Sequence, residues 1–197
     1  MGAFIVLEGI DGTGKTTVCK SAAKTLCSEG YDSEITFEPT DTGIGAFIRS
    51  GAAGNTSQRA ESLLFIADRY EHTKVILQKI KAEKIVLCDR YYASTIAYQS
   101  AVLEGDSADE GWLESLSEPF INIPDVVILL DMDPADALAR VDSRGEMESK
   151  FEELHFLEQV RNRYRELADR YNFKIVDASQ SKEEVLADVM KIIWEVL

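Results

Sequence analysis

Near the start of the chain, Gly9-Ile10-Asp11-Gly12-Thr13-Gly14-Lys15-Thr16 satisfies the spacing G-x-x-x-x-G-K-[ST]. Glycines at these intervals let the backbone curl until its N–H groups converge on an anion, and a helix beginning just beyond turns its positive end to the same point. The chemistry is phosphate binding. Lys15 is expected to lie along the β and γ phosphates of a nucleoside triphosphate. Thr16 is expected to offer its hydroxyl oxygen to magnesium, a hard cation that prefers oxygen ligands and keeps several waters. The rival reading is a glycine-rich turn that matches by chance, and the flanking pattern speaks against it. An apolar run, Phe4 to Leu7, precedes the loop and a helical pattern from Lys15 follows it.

A phosphate loop alone does not separate kinases from switches or mechanical ATPases. The chain contains no N-K-x-D guanine-reading tetrapeptide and no L-S-G-G-Q signature. It does contain Asp89-Arg90 directly after the apolar run Lys84 to Cys88, and open parallel sheets present their ligand-binding groups at that carboxyl edge. Asp89 could hold a magnesium-bound water or orient an acceptor, while Arg90 could bridge donor and acceptor phosphates. Asp131, ending the run Val126 to Leu130, is a competing carboxylate. Asp89 is favoured because the adjacent arginine supplies the cation that a transferring phosphoryl group needs.

Short apolar runs alternate with long amphipathic stretches, the pattern of an α/β fold in three layers, a parallel five-stranded sheet flanked by helices. Strands are expected at Phe4 to Leu7, Glu34 to Phe37, Ile85 to Cys88, Val126 to Leu130 and Lys174 to Val176. Helices are expected at Lys15 to Ser28, ended by Gly30, at Ser57 to Ala82, bent or broken, and at Ala93 to Leu103. Three more fall at Pro134 to Val141, Phe151 to Tyr171 and Lys182 to Val196. Two polar segments interrupt the pattern, Glu104 to Glu110 and Asp142 to Lys150, and both are too charged for a core. The first reads as a surface loop; the second carries isolated cations between two helices.

With 197 residues, 45% of them hydrophobic, the chain can bury one domain core spanning 1–197. Its net charge of -14 disfavours nucleic acid and anionic membranes as partners, so an anionic substrate needs a local cationic pocket. Cys19, Cys27 and Cys88 show no C-x-x-C spacing, and their odd number points to a reducing cytoplasm. The start MGAFIVLEGIDG has no basic leader or cleavage site, and no run approaches the ~18 apolar residues of a membrane span. His72 and His155 share no metal spacing and read as surface or core groups, so no metal beyond transient magnesium is expected.

Taken in order, EGIDGTGKTT, LLFIADRYEH, DRYYASTIAYQ and DASQS make the chain resemble the thymidylate kinase family over nearly its whole length. The resemblance implies transfer of a phosphoryl group from ATP to dTMP with Mg2+, by a homodimer. It implies a nucleotide loop formed by Gly9, Ile10, Asp11, Gly12, Thr13, Gly14, Lys15, Thr16 and Thr17, with magnesium held at Thr16 and Asp89. In that family a Phe stacks on thymine and an Arg four residues later bonds the base, positions met by Phe65 and Arg69. Such a pair shares one helix face. The bland rival is a core Phe beside a solvated Arg. Tyr98 stands where the family packs a Tyr beneath the deoxyribose, crowding a 2'-hydroxyl; Thr95 and Gln99 stand at the thymine edge. Asp11 matches the carboxylate facing the sugar 3'-hydroxyl, Arg90 and Arg49 the cations on the acceptor phosphate, and Glu38-Pro39 the pocket-shaping loop. Where bacterial relatives carry a glycine pair after that loop, this chain has Thr40-Asp41.

Cations closing over a transferring phosphoryl group can contribute ~10^3 or more in rate. Some family members carry a basic residue at the position of Gly12; others leave it small and place cations in a lid. Gly12 puts this chain in the second group. The lid is expected at about 142–150, with Arg144 on the γ-phosphate and Lys150 as second choice. Solvated loop charges are the bland alternative. Adenine is expected against the loop Asp177 to Ser181. The rival functions are another nucleotide or deoxynucleoside kinase, whose E-R-S segment would stand where this chain has Asp89-Arg90-Tyr91, and a P-loop regulatory ATPase.

Overall fold

Five consecutive apolar residues in AFIVLE allow no solvent-facing side, so a strand built from them must be covered on both faces. A computed structural model of the chain describes residues 2–102, 110–141 and 147–197, with the backbone alone at 110 and 147–151. In it that run forms β1 (Ala3–Glu8), buried throughout. The other strands are β2 (Ser33–Phe37), β3 (Ile85–Asp89), β4 (Val126–Asp131) and β5 (Lys174–Asp177). All pair in parallel in the order β2-β3-β1-β4-β5. Register sets Leu7 and Phe37 level with Asp89, and Asp131 level with Asp177. Strands β1, β2 and β3 end within one residue of each other and β4 and β5 two residues further on, so every loop that follows a strand opens on the same edge.

Among the described residues the helices are α1 (Lys15–Ser28), α2 (Gly43–Arg49), α3 (Gln58–Lys81), α4 (Tyr92–Val102), α5 (Glu110–Ser117), α6 (Pro134–Arg140), α7 (Met147–Tyr171) and α8 (Lys182–Val196). Helices α1 and α8 cover one face of the sheet, and α3, α4 and α7 the other. Local chemistry sets their ends. The Tyr31 N–H closes α1 onto Leu26 O at 3.0 Å, which requires a left-handed residue between, and Gly30 supplies φ 89°. At α8, Ser181 and Glu184 cap each other's backbone reciprocally.

Three expectations need correction. The stretch from Ser57 to Ala82 is neither bent in two nor broken: α3 runs uninterrupted for 24 residues, capped by Ser57. Of the segment expected as a lid, Met147 to Lys150 form the first turn of α7. Helices α2 and α5 were not expected at all; α2 has seven residues, two of them glycine. The remaining lid residues 142–146, Arg144 included, lie outside the described residues, as does the Lys150 side chain.

The long helix α3 is unusual in what it buries. Its inward residues include Ser62, Asp68, Arg69, His72 and Thr73, with only Ile66 and Ile76 apolar, while Leu63, Tyr70, Val75 and Leu77 are exposed. A helix turning polar groups inward cannot be held by apolar burial alone. It must be held by specific hydrogen bonds.

Candidate functional site

The loop after β1 curls over the start of α1. Lys15 is buried, and its Nζ donates to Ile10 O at 2.7 Å. Gly12 has φ 87°, and a Cβ there would stand 2.2 Å from the Ala137 carbonyl oxygen of α6. No side chain, basic or otherwise, fits at that position without moving α6. Burial, then repulsion from Arg90, brings the Lys15 amine down to about 7. It is a cation waiting for an anion.

Asp89 and Arg90 close the end of β3. The Thr16 hydroxyl donates to Asp89 Oδ2, so the two oxygens expected to face magnesium already sit side by side. That pair, a hydroxyl and a carboxylate, suits a hard cation that takes its other ligands from phosphate and water. The competing Asp131 is clamped by Arg161, through Nε at 2.8 Å and Nη2 at 2.9 Å.

Arg90 is the hub of the edge. Its backbone is left-handed at φ 69°, which a non-glycine residue adopts at a cost of about 1–3 kcal/mol. Three bonds hold it there: Arg90 N to Leu7 O at 2.9 Å, Cys88 Sγ to Arg90 O at 3.1 Å and Tyr91 N to Glu8 Oε1 at 2.9 Å. The guanidinium then reaches Gly9 O at 3.0 Å and Asp11 Oδ1 at 2.7 Å. Buried Glu8 underlies it, accepting from the Ser94 and Tyr164 hydroxyls at 2.6 and 3.2 Å. Burial raises the Glu8 carboxyl above its usual range, against the pull of those bonds and of Arg90.

Asp11 also accepts from the Tyr98 hydroxyl at 2.9 Å. Lost hydration alone would raise the Asp11 carboxyl, but Arg90, Lys15 and Tyr98 together hold it below the ordinary value. Burial pushes the Tyr98 hydroxyl up, so it stays a donor.

Beside this group lies a cavity of about 200 Å³ whose wall includes Phe65, Arg69, Thr95, Tyr98, Gln99 and Glu38. Arg69 is 1% exposed. It donates through Nε to Glu38 Oε2 at 2.8 Å, and through Nη2 to Thr95 Oγ1 at 2.6 Å and Tyr91 O at 3.2 Å. Its remaining nitrogen, Nη1, has no partner among the described residues. A buried donor left unpaired costs about 1–3 kcal/mol, which an acceptor entering the chamber would offset. Glu38 has both oxygens engaged, one by Arg69 and one by His72.

Two further cavities continue the line. One of about 480 Å³ is lined by Asp11, Lys15, Thr16, Arg49, Asp89 and Arg90. The next, about 600 Å³, runs from Gly12 and Thr17 to Ala178, Gln180 and Ser181 in the loop after β5. Asp11, Glu38 and Arg90 are shared by the first and second, and Gly12, Gly14, Thr17 and Arg140 by the second and third. Together they make a cationic cleft with a chamber at each end. A cavity of about 660 Å³ at the amino ends of β4 and β5, lined by Tyr92, Tyr171 and Phe173, contains none of these groups.

Several participants were missed from the sequence. Arg140 donates to Ala178 O at 3.0 Å and lines both cleft and outer chamber; a cation ending the helix before the lid was the available signal. Glu8, Ser94, Tyr164 and His72 left none, because each contacts residues far away in sequence.

The lowered Lys15 value has a testable sign. An unfolded lysine keeps its proton to about 10.4, whereas the folded one releases it near 7, so the unfolded chain binds more protons between these limits. Wild type therefore gains stability from this group as pH rises from about 7 to 10. Lys15→Met removes that gain along with phosphoryl transfer. Thermal unfolding should show the variant at least as stable as wild type at pH 7, with its relative advantage shrinking by pH 10. A lower Tm for the variant at pH 7 would contradict the placement.

The family model for thymidylate kinase matches residues 7–189. A probable thymidylate kinase of Pyrococcus abyssi is 42% identical, over 98% of this chain and 96% of that one. One from Methanocaldococcus jannaschii is 40% identical, over 95% and 93%. A thymidylate kinase of Cutibacterium acnes is 35% identical, over 93% and 92%. The phosphate loop, the Asp-Arg edge and the arginine-lined chamber thus occur in a chain similar to these proteins from end to end, and it belongs to the thymidylate kinase family.

Proposed function

We propose that the protein phosphorylates dTMP to dTDP with ATP and Mg2+, in one domain, 1–197. The observation that carries this reading is the unpartnered Nη1 of buried Arg69 in the wall of a chamber that opens onto the phosphate cleft. A pyrimidine ring on Phe65 would give that nitrogen a carbonyl oxygen, with Thr95 and Gln99 along its edge. Tyr98 lies beneath the sugar and Asp11 faces its 3'-hydroxyl. The acceptor phosphate then meets Arg49 and Arg90, while the ATP phosphates lie in the loop Gly9 to Thr17 with adenine between α1 and the loop after β5.

Catalysis in this arrangement is positioning and charge compensation. Lys15 and Arg90 stand on either side of the transferring group, and Asp89 orients the attacking phosphate. Magnesium at Thr16 and Asp89 would neutralise charge on the phosphate oxygens. Arg144 and Lys150 remain proposals for lid cations. Because no side chain fits at Gly12, the loop itself has no room for one.

No helix among the described residues is long and apolar enough to cross a membrane. The three cysteines are free, which suits a cytoplasmic enzyme. We further propose a homodimer through the outer face of α3. Leu63, Tyr70 and Leu77 recur every seven residues there and are exposed, as is Phe47 of neighbouring α2. Sedimentation velocity should give twice the chain mass for wild type and a monomer for Leu63→Glu with Leu77→Glu; a monomeric wild type would refute the dimer.

Phe65→Ala tests the acceptor chamber. Base stacking is worth about 1–3 kcal/mol, so KM for dTMP should rise roughly 5- to 150-fold with KM for ATP nearly unchanged. An unaltered dTMP KM would return Phe65 to a packing role.

A further inference from the structure

The base-reading arginine does not stand alone. Behind Arg69, the second oxygen of Glu38, Oε1, is 2.9 Å from His72 Nδ1, and His72 Nε2 is 2.6 Å from Thr36 Oγ1 on β2. Both Glu38 and His72 are 5% exposed. A continuous chain, Thr36, His72, Glu38, Arg69, thus runs from the edge strand through α3 to the acceptor chamber. No catalytic step above uses its first two members.

We propose that His72 is a positioning residue for Arg69: it pins the Glu38 carboxylate, and through it the orientation of the guanidinium presented to the acceptor base. This rests on reading the chamber as the acceptor-base site. A carboxylate held by one donor can rotate about its last bond. Held at both oxygens, as here by Arg69 Nε at 2.8 Å and His72 Nδ1 at 2.9 Å, it cannot. An ionised carboxylate only accepts, so Nδ1 carries a proton, and the bond at one ring nitrogen sets the chemistry of the other. The Thr36 hydroxyl can donate to a neutral Nε2 or accept from a protonated one. It holds the ring in either case.

The two ring nitrogens can be replaced separately. In His72→Asn the side-chain amide nitrogen stands where Nδ1 does and can still donate to Glu38. In His72→Gln it stands near Nε2 and reaches Thr36 instead. Loss of a hydrogen bond to a charged group changes binding about tenfold or more. Steady-state kinetics should therefore show KM for dTMP raised about tenfold in His72→Gln and His72→Ala, and only a few-fold, the effect of losing the Thr36 bond alone, in His72→Asn. The KM for ATP and kcat should stay within about twofold throughout.

A residue that merely packs would lower Tm in all three variants without separating Asn from Gln, and that result overturns the proposal. Should the His72 variants fail to fold, Thr36→Val removes only the far bond. It should raise the dTMP KM a few-fold, and an unchanged value overturns the proposal too. Phe65→Ala separates this inference from the reading beneath it. If the chamber does not take the base, neither Phe65 nor His72 variants move the dTMP KM. If only the present inference fails, Phe65→Ala still does.

Discussion

Arg90 joins the two halves of the site. One guanidinium contacts the phosphate loop at Gly9, the carboxylate of Asp11 and the hydroxyl of Tyr98, and lies over the Tyr98 ring. The phosphate loop and the chamber beside it are therefore fixed relative to each other by Arg90, together with the bond from Tyr98 to Asp11. Its backbone is in a conformation that side chains avoid, and the bonds to Leu7, Cys88 and Glu8 hold it there. Strain of this kind persists only where the surroundings over-determine it. The fully buried β1 and β3 supply that rigidity.

The same logic explains α3. A helix facing a substrate chamber cannot fill its inner face with leucines, so Arg69, His72 and Asp68 point inward, each tied to another element. Asp68 accepts from Thr40 through backbone N and side chain, both at 2.7 Å, in the very segment where Thr40-Asp41 replaces the bacterial glycine pair. Apolar residues displaced from the inner face of α3 appear on its outer face, where a second copy of the chain could cover them.

Much of this was legible before any coordinates. The strands, α1 and α8 announced themselves through period, the end of α1 through Gly30, and the phosphate loop through glycine spacing. What was hidden has three physical causes. Helix α2 is too short and glycine-rich for a helical period to show. The polar inner face of α3 blurs its apolar stripe and made one continuous helix read as broken. Glu8 and Tyr164, or Glu38 and His72, meet across 156 and 34 residues, and nothing local in a sequence marks such a pairing. Gly12 illustrates the reverse case. Its smallness was visible, but the reason, the carbonyl of Ala137, was not.

The central claim is that the chamber built on Arg69 and Phe65 selects the acceptor, and that transfer occurs only when both nucleotides lie in one cleft. ADP release in a coupled assay, run with ATP and magnesium over a panel of nucleoside monophosphates, measures this directly. Release should be fast with dTMP, at least tenfold slower in kcat/KM with its ribose counterpart because a hydroxyl beside Tyr98 finds no partner, and near background with purine monophosphates or no acceptor. Equal turnover across the panel, or ATP hydrolysis that ignores the acceptor, would contradict the account.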